Sequence, residues 1–158
     1  MKYATIIGYA PHHIPIYYNS PYFDTRRIRH YGPNGIYYGI KYQCVELVRR
    51  WYIEVLHLTF PYIDDASKMF DLKFATDLTT HKKVPFIHIL NNGRAIPKAG
   101  DIILWKKEGL YADTGHTAIM IKVVHNTTIL VAEQNGATAN GLRRINCHHN
   151  TILGWMRV

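Results

Sequence analysis

The hydrophobic period of this chain changes near its middle, and that change limits the folds that the chain can adopt. In the first part the apolar residues recur at helical spacing, whereas in the second part they form short runs typical of strands. Pro85 and the loop-forming segment NNGRAIPKAGD lie between the two parts. Helices followed by antiparallel strands predict an α+β fold, and 158 residues suffice for a single domain over 1–158.

Two helices are predicted in the first part. One runs from Tyr42 to about Leu56 and combines an apolar face with charged residues elsewhere. The apolar face carries Val45, Val48, Tyr52 and Val55, and the charged residues are Glu46, Arg49, Arg50 and Glu54. A second helix is predicted over about Ala66 to Leu78. Residues 1–40 are expected to form short extended pieces joined by turns at YNSPY and YGPNG.

The second part of the chain is expected to form an antiparallel sheet. Its predicted strands are Ile102 to Trp105, His116 to Val124, Thr127 to Ala132 and Thr151 to Val158. The second and third of these flank His125-Asn126, which predicts a tight turn and a hairpin. With the turn centred between residues 125 and 126, position 116 pairs near position 135.

Cys44 falls in the first turn of the first predicted helix and is the candidate nucleophile. A neutral thiol is a poor nucleophile, but the backbone N–H groups and the dipole at a helix N-terminus favour the thiolate. The Gln43 side chain and the Cys44 backbone N–H are placed to stabilise a negative oxygen on an attacked acyl group. This context disfavours the simpler interpretation of Cys44 as an inert core residue.

His116 and Glu133 are the candidate partners of this cysteine. His116 follows Gly115 at the start of its predicted strand, and Glu133 ends the neighbouring strand. In the predicted register Glu133 and Asn135 bracket the position opposite His116, so either could orient the imidazole while its other nitrogen faces the thiol. The order cysteine, histidine, orienting polar residue is that of papain-like thiol hydrolases.

The composition disfavours several other classes of protein. An apolar fraction of 47% and a charged fraction of 19% are those of a folded soluble protein. Two cysteines are too few for a disulfide scaffold, and pairing Cys44 with Cys147 would consume the nucleophile, so we expect a reducing compartment. The chain shows neither a signal-peptide run nor the ~18 apolar residues of a membrane span. We therefore expect a cytoplasmic protein, with delivery in a viral particle as the alternative.

The net charge of +8 raises the question of a nucleic-acid partner. Its densest local cluster is Arg26, Arg27, Arg29 and His30. The other basic residues are scattered, and the chain carries no zinc finger, helix-turn-helix or aromatic RNA-binding motif. We therefore do not expect a nucleic-acid partner. A basic surface also suits an anionic substrate or an anionic particle.

Five segments of the chain carry a resemblance to a known family. They are GYAP (8–11), YQCVELVRRW (42–51), DTGHTAIM (113–120), AEQN (132–135) and TILGWM (151–156). In this order they resemble the amidase domain of bifunctional glutathionylspermidine synthetase/amidase. That domain belongs to the CHAP group, the cysteine- and histidine-dependent amidohydrolases/peptidases. The resemblance runs from about Ile6 to the C-terminus and implies a papain-like fold.

The resemblance also implies a substrate and a set of site residues. The bond cleaved would be the amide between the glycine carboxyl of glutathione and a polyamine such as spermidine, broken through a thioester acyl-enzyme. By matching motif positions the nucleophile, the base and the orienting acid are Cys44, His116 and Glu133. Gln43 lies at the oxyanion site and Asn135 at the cleft. Arg49 resembles the family arginine that helps to hold the glutathionyl part of the substrate.

The chain departs from the family pattern at several points. The glycine pair that follows GYAP in the family is His12-His13 here, and the tryptophan before the Gln-Cys pair is Tyr42. The segment between Asn135 and Thr151 is shorter. The ATP-grasp synthetase domain of the family is absent, so we expect hydrolysis without synthesis. These departures fall near loops that bound the cleft. The family resemblance therefore supports the type of reaction more strongly than the identity of the substrate.

Two other functions are left open by the sequence. One is a peptidoglycan amidase or endopeptidase, a common role of CHAP domains, with a peptidoglycan-like amide as substrate. The other is a basic binding protein with an unused site, although the intact cysteine, histidine and glutamate argue against it. Neither a metal nor another cofactor is expected, because Cys147-His148-His149 and His12-His13 match no zinc-binding spacing. The oligomeric state is also left open.

Overall fold

The computed structural model describes residues 1–19 and 27–158 of the chain. The predicted turn at YNSPY extends into the part that is not described, and Arg26 of the basic cluster lies wholly within that part. Helix and strands are both present, which confirms the α+β class. Within the described ranges, no helix has the length and apolarity that a membrane crossing requires.

The described residues of the first half contain several short strands in small antiparallel sheets as well as helical segments. The strands are β1 (Ile6–Ala10), β2 (Ile14–Tyr17), β3 (Arg29–Tyr31), β4 (Tyr37–Ile40), β5 (Leu58–Thr59), β6 (Phe74–Asp77) and β7 (Lys83–Pro85). β1 pairs with β2, β3 pairs with β4, and β5, β6 and β7 form one sheet. The expectation of a helical first half is therefore wrong. Tyrosine and isoleucine, frequent in the first four strands, suit a pleated and half-buried surface.

The second predicted helix, over Ala66 to Leu78, is also wrong in its second half. A 3₁₀ helix covers Ala66–Asp71, and strand β6 follows it. The Asp77 carboxylate accepts hydrogen bonds from the backbone N–H groups of Thr79 (2.8 Å) and Thr80 (2.7 Å), which closes the turn into β7. A side chain that bonds its own local backbone competes with helix formation, so the helical period does not continue here.

The first predicted helix is present as α1 (Cys44–Leu56), which begins two residues later than expected. It packs against β4, β5 and the central strand of the main sheet. Because these neighbours surround it, every residue from Val45 to Ile53 is buried. The buried set includes the charged Glu46, Arg49 and Arg50, so burial on this helix is not confined to the apolar face.

The main sheet has six antiparallel strands. It consists of β8 (Ile87–Leu90), β9 (Ile102–Trp105), β10 (His116–His125), β11 (Thr128–Ala132), β12 (Leu142–Asn146) and β13 (Ile152–Arg157). Their spatial order is β12-β11-β10-β9-β13-β8, so β10 lies between β9 and β11. All four strands predicted in the second part are present within one residue of their expected bounds. β8 and β12 were not predicted.

The hairpin of β10 and β11 has the predicted register away from its turn, although the turn itself is displaced. Its turn lies one residue later than predicted, because His125 pairs with Thr128. Two irregularities between the turn and the middle of the hairpin shift the pairing, so that Ile119 faces Ala132. Continued to the start of β10, this register brings His116 near position 135, as the sequence predicted. The start of β10 and the loop after β11 therefore lie close together, at the end of the hairpin opposite its turn.

Both faces of the main sheet are buried. On one face Ile102 and Ile119 pack in the same cluster as Leu47 of α1. On the other face Ile103 and Trp105 pack in a second cluster. Successive residues of β9 point to opposite faces, both of which are buried, which explains its continuous apolar run IILW. The site therefore lies where a buried helix meets a sheet covered on both sides.

Candidate active site

Cys44 is the first residue of α1, and its environment follows from how the helix begins. Gln43 precedes the helix with an extended backbone (φ −79°, ψ 162°) and makes no side-chain hydrogen bond to the first turn. The uncapped N–H groups of that turn and the helix dipole favour a negative charge at Cys44. The Cys44 side chain is partly exposed and lines a cavity of about 570 Å³.

His116 begins β10 beside this cavity and is 2% exposed. The preceding Gly115 has a left-handed backbone (φ +66°), and a Cβ there would lie 2.8 Å from the Trp105 carbonyl oxygen. Glycine is therefore required at this tight entry to the strand. His116 Nε2 lies 3.0 Å from Glu133 Oε2. His116 and Cys44 line the same cavity.

The pKa of His116 reflects a competition between burial and the two partners of the ring. Burial would lower that pKa, but the hydrogen bonds and charges of Cys44 and Glu133 outweigh it and raise the pKa of His116 to about 9. At neutral pH the imidazole is therefore protonated, and it lies beside the Glu133 carboxylate. A protonated imidazole beside a thiol is an arrangement that stabilises a thiolate.

Glu133 directly follows β11, and its carboxylate is fully buried. Besides contacting His116, it accepts hydrogen bonds from the Ala137 backbone N–H (3.1 Å), the Thr138 hydroxyl (3.3 Å) and Arg143 Nη1 (3.4 Å). Burial would raise the pKa of Glu133, but His116, Arg143 and the Ala137 N–H together lower it. An ionised carboxylate therefore faces the imidazole at neutral pH.

Asn135 and Gln43 form a second polar pair in the cavity wall. Asn135 Nδ2 donates to Gln43 Oε1 at 2.9 Å, so the amide nitrogen is the end of Gln43 that this bond leaves available. Of the two alternatives for the residue beside the imidazole, the structure places Glu133 on His116 and Asn135 on Gln43. A Cβ at Gly136 would lie 2.4 Å from the Glu133 carboxyl carbon, so the turn after Glu133 closes over the carboxylate only with glycine there.

A buried polar network beneath the site joins the start of α1 to the end of β11. Gln134 Nε2 donates to the Gln43 carbonyl oxygen (3.1 Å) and to Glu46 Oε2 (2.6 Å). Glu46 Oε1 accepts from Arg50 Nε at 2.6 Å and lies 2.8 Å from His30 Nδ1. Burial would raise the pKa of Glu46, but Arg50 and His30 hold it below its usual value. Apolar periodicity could not indicate this network, because its members are polar and come from three separate parts of the chain.

Arg49 does not lie where the sequence predicted. Its side chain is buried, Nε donates to the Phe60 carbonyl oxygen at 2.6 Å, and Nη2 donates to the Thr59 hydroxyl at 3.0 Å. The guanidinium packs over the Tyr37 ring at 5.4 Å, and burial lowers the pKa of Arg49. Since β4 and β5 enclose α1 on this side, Arg49 is not among the described residues that line the cavity. The contacts of Arg49 in the structure favour a structural role, and its expected contact with a substrate stays a prediction.

The cavity wall also includes two oppositely charged residues that the sequence did not assign to a site. Arg27 Nη2 lies 2.8 Å from Asp64 Oδ1, and the two side chains are 63% and 62% exposed. Both line the cavity together with Cys44 and Tyr62. The basic cluster contained Arg27, but no sequence pattern distinguishes Asp64, because the loops that carry the pair meet only in the folded chain.

Two residues that contact the histidine and the glutamate were not predicted either. The Tyr111 ring stacks on the His116 ring with their centroids 4.3 Å apart. Arg143 Nη1 donates to the Tyr111 hydroxyl at 2.7 Å and lies 3.4 Å from Glu133 Oε2. Tyr111 ends a short 3₁₀ helix (Gly109–Tyr111) and Arg143 lies on an unpredicted strand, so neither stood out in the sequence. A signal was available in the closeness of Tyr111 to the Gly115-His116 pair.

The remaining histidines and the second cysteine lie elsewhere. Cys147 is buried in the core on the outer face of the sheet. His148 Nε2 lies 2.8 Å from the Ala95 carbonyl oxygen, and His149 Nδ1 lies 2.7 Å from the Thr151 hydroxyl. Among residues 1–19 and 27–158, no three or more His, Cys, Asp or Glu side chains form a group that could hold a metal ion.

Comparison with known proteins identifies a family and several relatives. The CHAP domain model matches residues 34–135. The chain is 33% identical over 140 residues to the bifunctional glutathionylspermidine synthetase/amidases of Escherichia coli (strain K12) and Shigella flexneri, a match that covers 84% of the chain and 22% of each relative. It is 32% identical over 137 residues to trypanothione synthetase of Crithidia fasciculata, covering 85% of the chain and 20% of that relative.

The chain belongs to the CHAP domain family. The family resemblance drawn from the five sequence segments is thereby confirmed. The chain spans about a fifth of the length of the curated relatives that it matches.

Proposed function

We propose that this chain is a cysteine-dependent amide hydrolase with Cys44 as nucleophile, His116 as acid and base, and Glu133 as the orienting carboxylate. One observation carries this proposal. His116 Nε2 lies 3.0 Å from Glu133 Oε2, and the imidazole lines the same cavity as Cys44, which helps to raise the pKa of His116. A nucleophile, a base and a group that orients the base are the three parts that covalent acyl transfer needs.

In the first step the Cys44 thiolate attacks the carbonyl carbon of the amide. A carbon–sulfur bond forms while the π electrons move to the carbonyl oxygen, where Gln43 Nε2 and the Cys44 backbone N–H donate hydrogen bonds. The oxygen electrons then return and the carbon–nitrogen bond breaks. His116 gives its proton to the departing nitrogen, which leaves as an amine. The acyl group stays on Cys44 as a thioester.

In the second step water removes the acyl group. The neutral imidazole of His116 accepts a proton from water, whose oxygen attacks the thioester carbon. The carbon–sulfur bond breaks, the product leaves as a carboxylic acid that loses its proton to solvent, and the thiolate and imidazolium are restored. Glu133 stays ionised throughout and holds the imidazole in the orientation that both proton transfers need.

The substrate that we propose is a glutathionylspermidine-like amide, a small peptide–polyamine conjugate. The names of two relatives include glutathionylspermidine amidase activity, which supports this class. A γ-glutamyl group ends in an α-carboxylate and an α-ammonium group, and Arg27 and Asp64 in the cavity wall supply one opposite charge for each. The cavity of about 570 Å³ is of the size that small-molecule sites have.

The test is release of spermidine from glutathionylspermidine by the purified chain, with purified peptidoglycan assayed in parallel. We expect release by the unchanged chain and by Cys147→Ala, the matched control, and none by Cys44→Ala. Peptidoglycan cleavage that depends on Cys44, without spermidine release, would replace the proposed substrate by a cell-wall amide. No cleavage of either substrate would favour a basic binding protein with an unused site.

A further inference from the structure

Tyr111 covers one face of the candidate acid–base residue. Its ring stacks on the His116 ring with the centroids 4.3 Å apart and the planes only 10° from parallel. Trp105 contacts the same imidazole at 5.2 Å between centroids and 56° between planes. The aromatic neighbours therefore restrict the rotation of the imidazole about its own side-chain bonds. A parallel aromatic ring also offers its electron-rich face to the positive charge of an imidazolium.

Arg143 joins this aromatic cover to the carboxylate. From β12, its Nη1 donates to the Tyr111 hydroxyl at 2.7 Å and lies 3.4 Å from Glu133 Oε2. Its guanidinium also packs over the Trp105 ring at 5.6 Å. The contacts form a closed circuit that runs from His116 to Tyr111, to Arg143, to Glu133 and back to His116.

We propose that Tyr111 and Arg143 are positioning residues, which together hold the His116 imidazole and the Glu133 carboxylate in the geometry that activates Cys44. This inference rests on the proposed catalytic role of His116. Tyr111 acts through the face of the imidazole, and Arg143 acts through the hydroxyl of Tyr111 and one oxygen of Glu133. Neither residue needs to touch the bond that breaks.

The two contacts of Tyr111 can be separated by substitution. Tyr111→Phe keeps the stacked ring and removes the hydroxyl, whereas Tyr111→Leu removes the ring as well. Arg143→Lys keeps a positive charge but not the planar group that bridges two oxygens, and Arg143→Gln removes the charge. Arg144, the next residue of β12, is exposed, so Arg144→Gln is the matched control.

Two measurements that need no substrate test the proposal. The first is the rate of Cys44 alkylation by iodoacetamide at neutral pH, read by peptide mass spectrometry. The second is the NMR titration of the His116 ring, for which the unchanged chain should give a pKa of about 9. Circular dichroism and thermal unfolding show whether each variant is folded.

We expect Tyr111→Leu and Arg143→Gln to slow Cys44 alkylation by about tenfold, the effect of losing one charge-assisted contact. Because the partners of His116 outweigh its burial, loosening them should also lower the pKa of His116. Tyr111→Phe and Arg143→Lys should lie between these variants and the unchanged chain. Arg144→Gln should match the unchanged chain.

The outcomes separate this inference from the proposed function. If His116→Ala abolishes rapid alkylation while folded Tyr111→Leu and Arg143→Gln behave as Arg144→Gln does, only the positioning role is contradicted. A Tyr111→Phe variant as impaired as Tyr111→Leu would contradict the role of the stacked ring. If His116→Ala leaves the alkylation of Cys44 unchanged, the proposed function itself is contradicted.

Discussion

Asn135 donates a hydrogen bond to Gln43 across 2.9 Å, which joins the loop after β11 to the residue that precedes α1. The Asn135 backbone is left-handed (φ 54°), a conformation that asparagine tolerates better than most residues. By occupying the amide oxygen of Gln43, this bond commits the amide nitrogen to the cavity, where a negative oxygen would form. The proposed oxyanion donor is therefore itself held by a second residue.

Asn135→Ala should lower kcat by about tenfold or more with a smaller effect on KM, because a donor that is less well oriented stabilises the transition state less. Gln43→Ala removes the donor and should lower kcat by about a hundredfold. Steady-state kinetics on the substrate that Cys44 turns over would check both values. An Asn135→Ala enzyme with a raised KM and an unchanged kcat would place Asn135 in substrate binding instead.

The pH dependence of kcat/KM should show an alkaline limb. The imidazolium of His116 must protonate the departing amine, and the pKa of His116 is raised to about 9, so activity should fall as pH rises through that value. Glu133→Gln removes one cause of the shift, and its alkaline limb should lie at lower pH than that of the unchanged enzyme. A limb that Glu133→Gln does not move would contradict the pairing of Glu133 with His116.

The same pKa shift predicts a change in stability. A histidine whose folded-state pKa is raised contributes stability that is fully present below its unfolded pKa of about 6.5 and is lost as pH rises through the folded-state pKa. The unfolding temperature should therefore fall between neutral pH and the pH at which His116 loses its proton. His116→Asn should show a smaller fall over that range, measured by circular dichroism.

Arg27 and Arg49 should respond differently to replacement by alanine. Arg27→Ala should raise KM about tenfold for a substrate with a free γ-glutamyl end, because it removes a charge-assisted contact at the cavity wall. Arg49→Ala should instead lower the free energy of unfolding by about 1–3 kcal/mol, since it leaves the Phe60 carbonyl oxygen without its buried donor. A raised KM for Arg49→Ala with unchanged stability would reverse this assignment.

The contrast between these arginines shows what the sequence could predict. The reactive centre was predictable because Cys44 opens a strongly periodic helix and because strand pairing relates His116 to the residues around position 135. The register held even though the turn was misplaced by one residue, since two irregularities in the hairpin offset the error. The direction of the Arg49 side chain was not predictable, because it depends on which strands enclose α1.

The buried network beneath the site should be important for stability. Glu46→Ala leaves Arg50 buried without its carboxylate and should lower the free energy of unfolding by about 3–5 kcal/mol. Glu54 lies on the same helix but is exposed, so Glu54→Ala, the matched control, should cost less than about 1 kcal/mol. Chemical denaturation of both variants would show the difference. Equal losses would mean that the network contributes little beyond an ordinary surface contact.

Polar tertiary contacts account for most of what the sequence did not reveal. Glu46 and Arg50 lie off the expected apolar face of α1, yet both are buried. Glu46 binds Arg50 and also contacts Gln134 and His30 from distant segments. Likewise, the segment after Asp71 forms a strand that pairs with β5 and β7, and its own pattern does not reveal these partners. Patterns of hydrophobicity locate helices and strands, but they do not show which residues pair with a buried charged side chain.

The proposed thioester on Cys44 is tested most directly by trapping it. Glutathionylspermidine mixed with the enzyme and quenched in acid within one turnover should give a Cys44 peptide heavier by the glutathionyl acyl group. Cys147 should stay unmodified, and Cys44→Ala should give neither the adduct nor free spermidine. Release of spermidine by Cys44→Ala at the rate of the unchanged enzyme would contradict covalent catalysis by this cysteine.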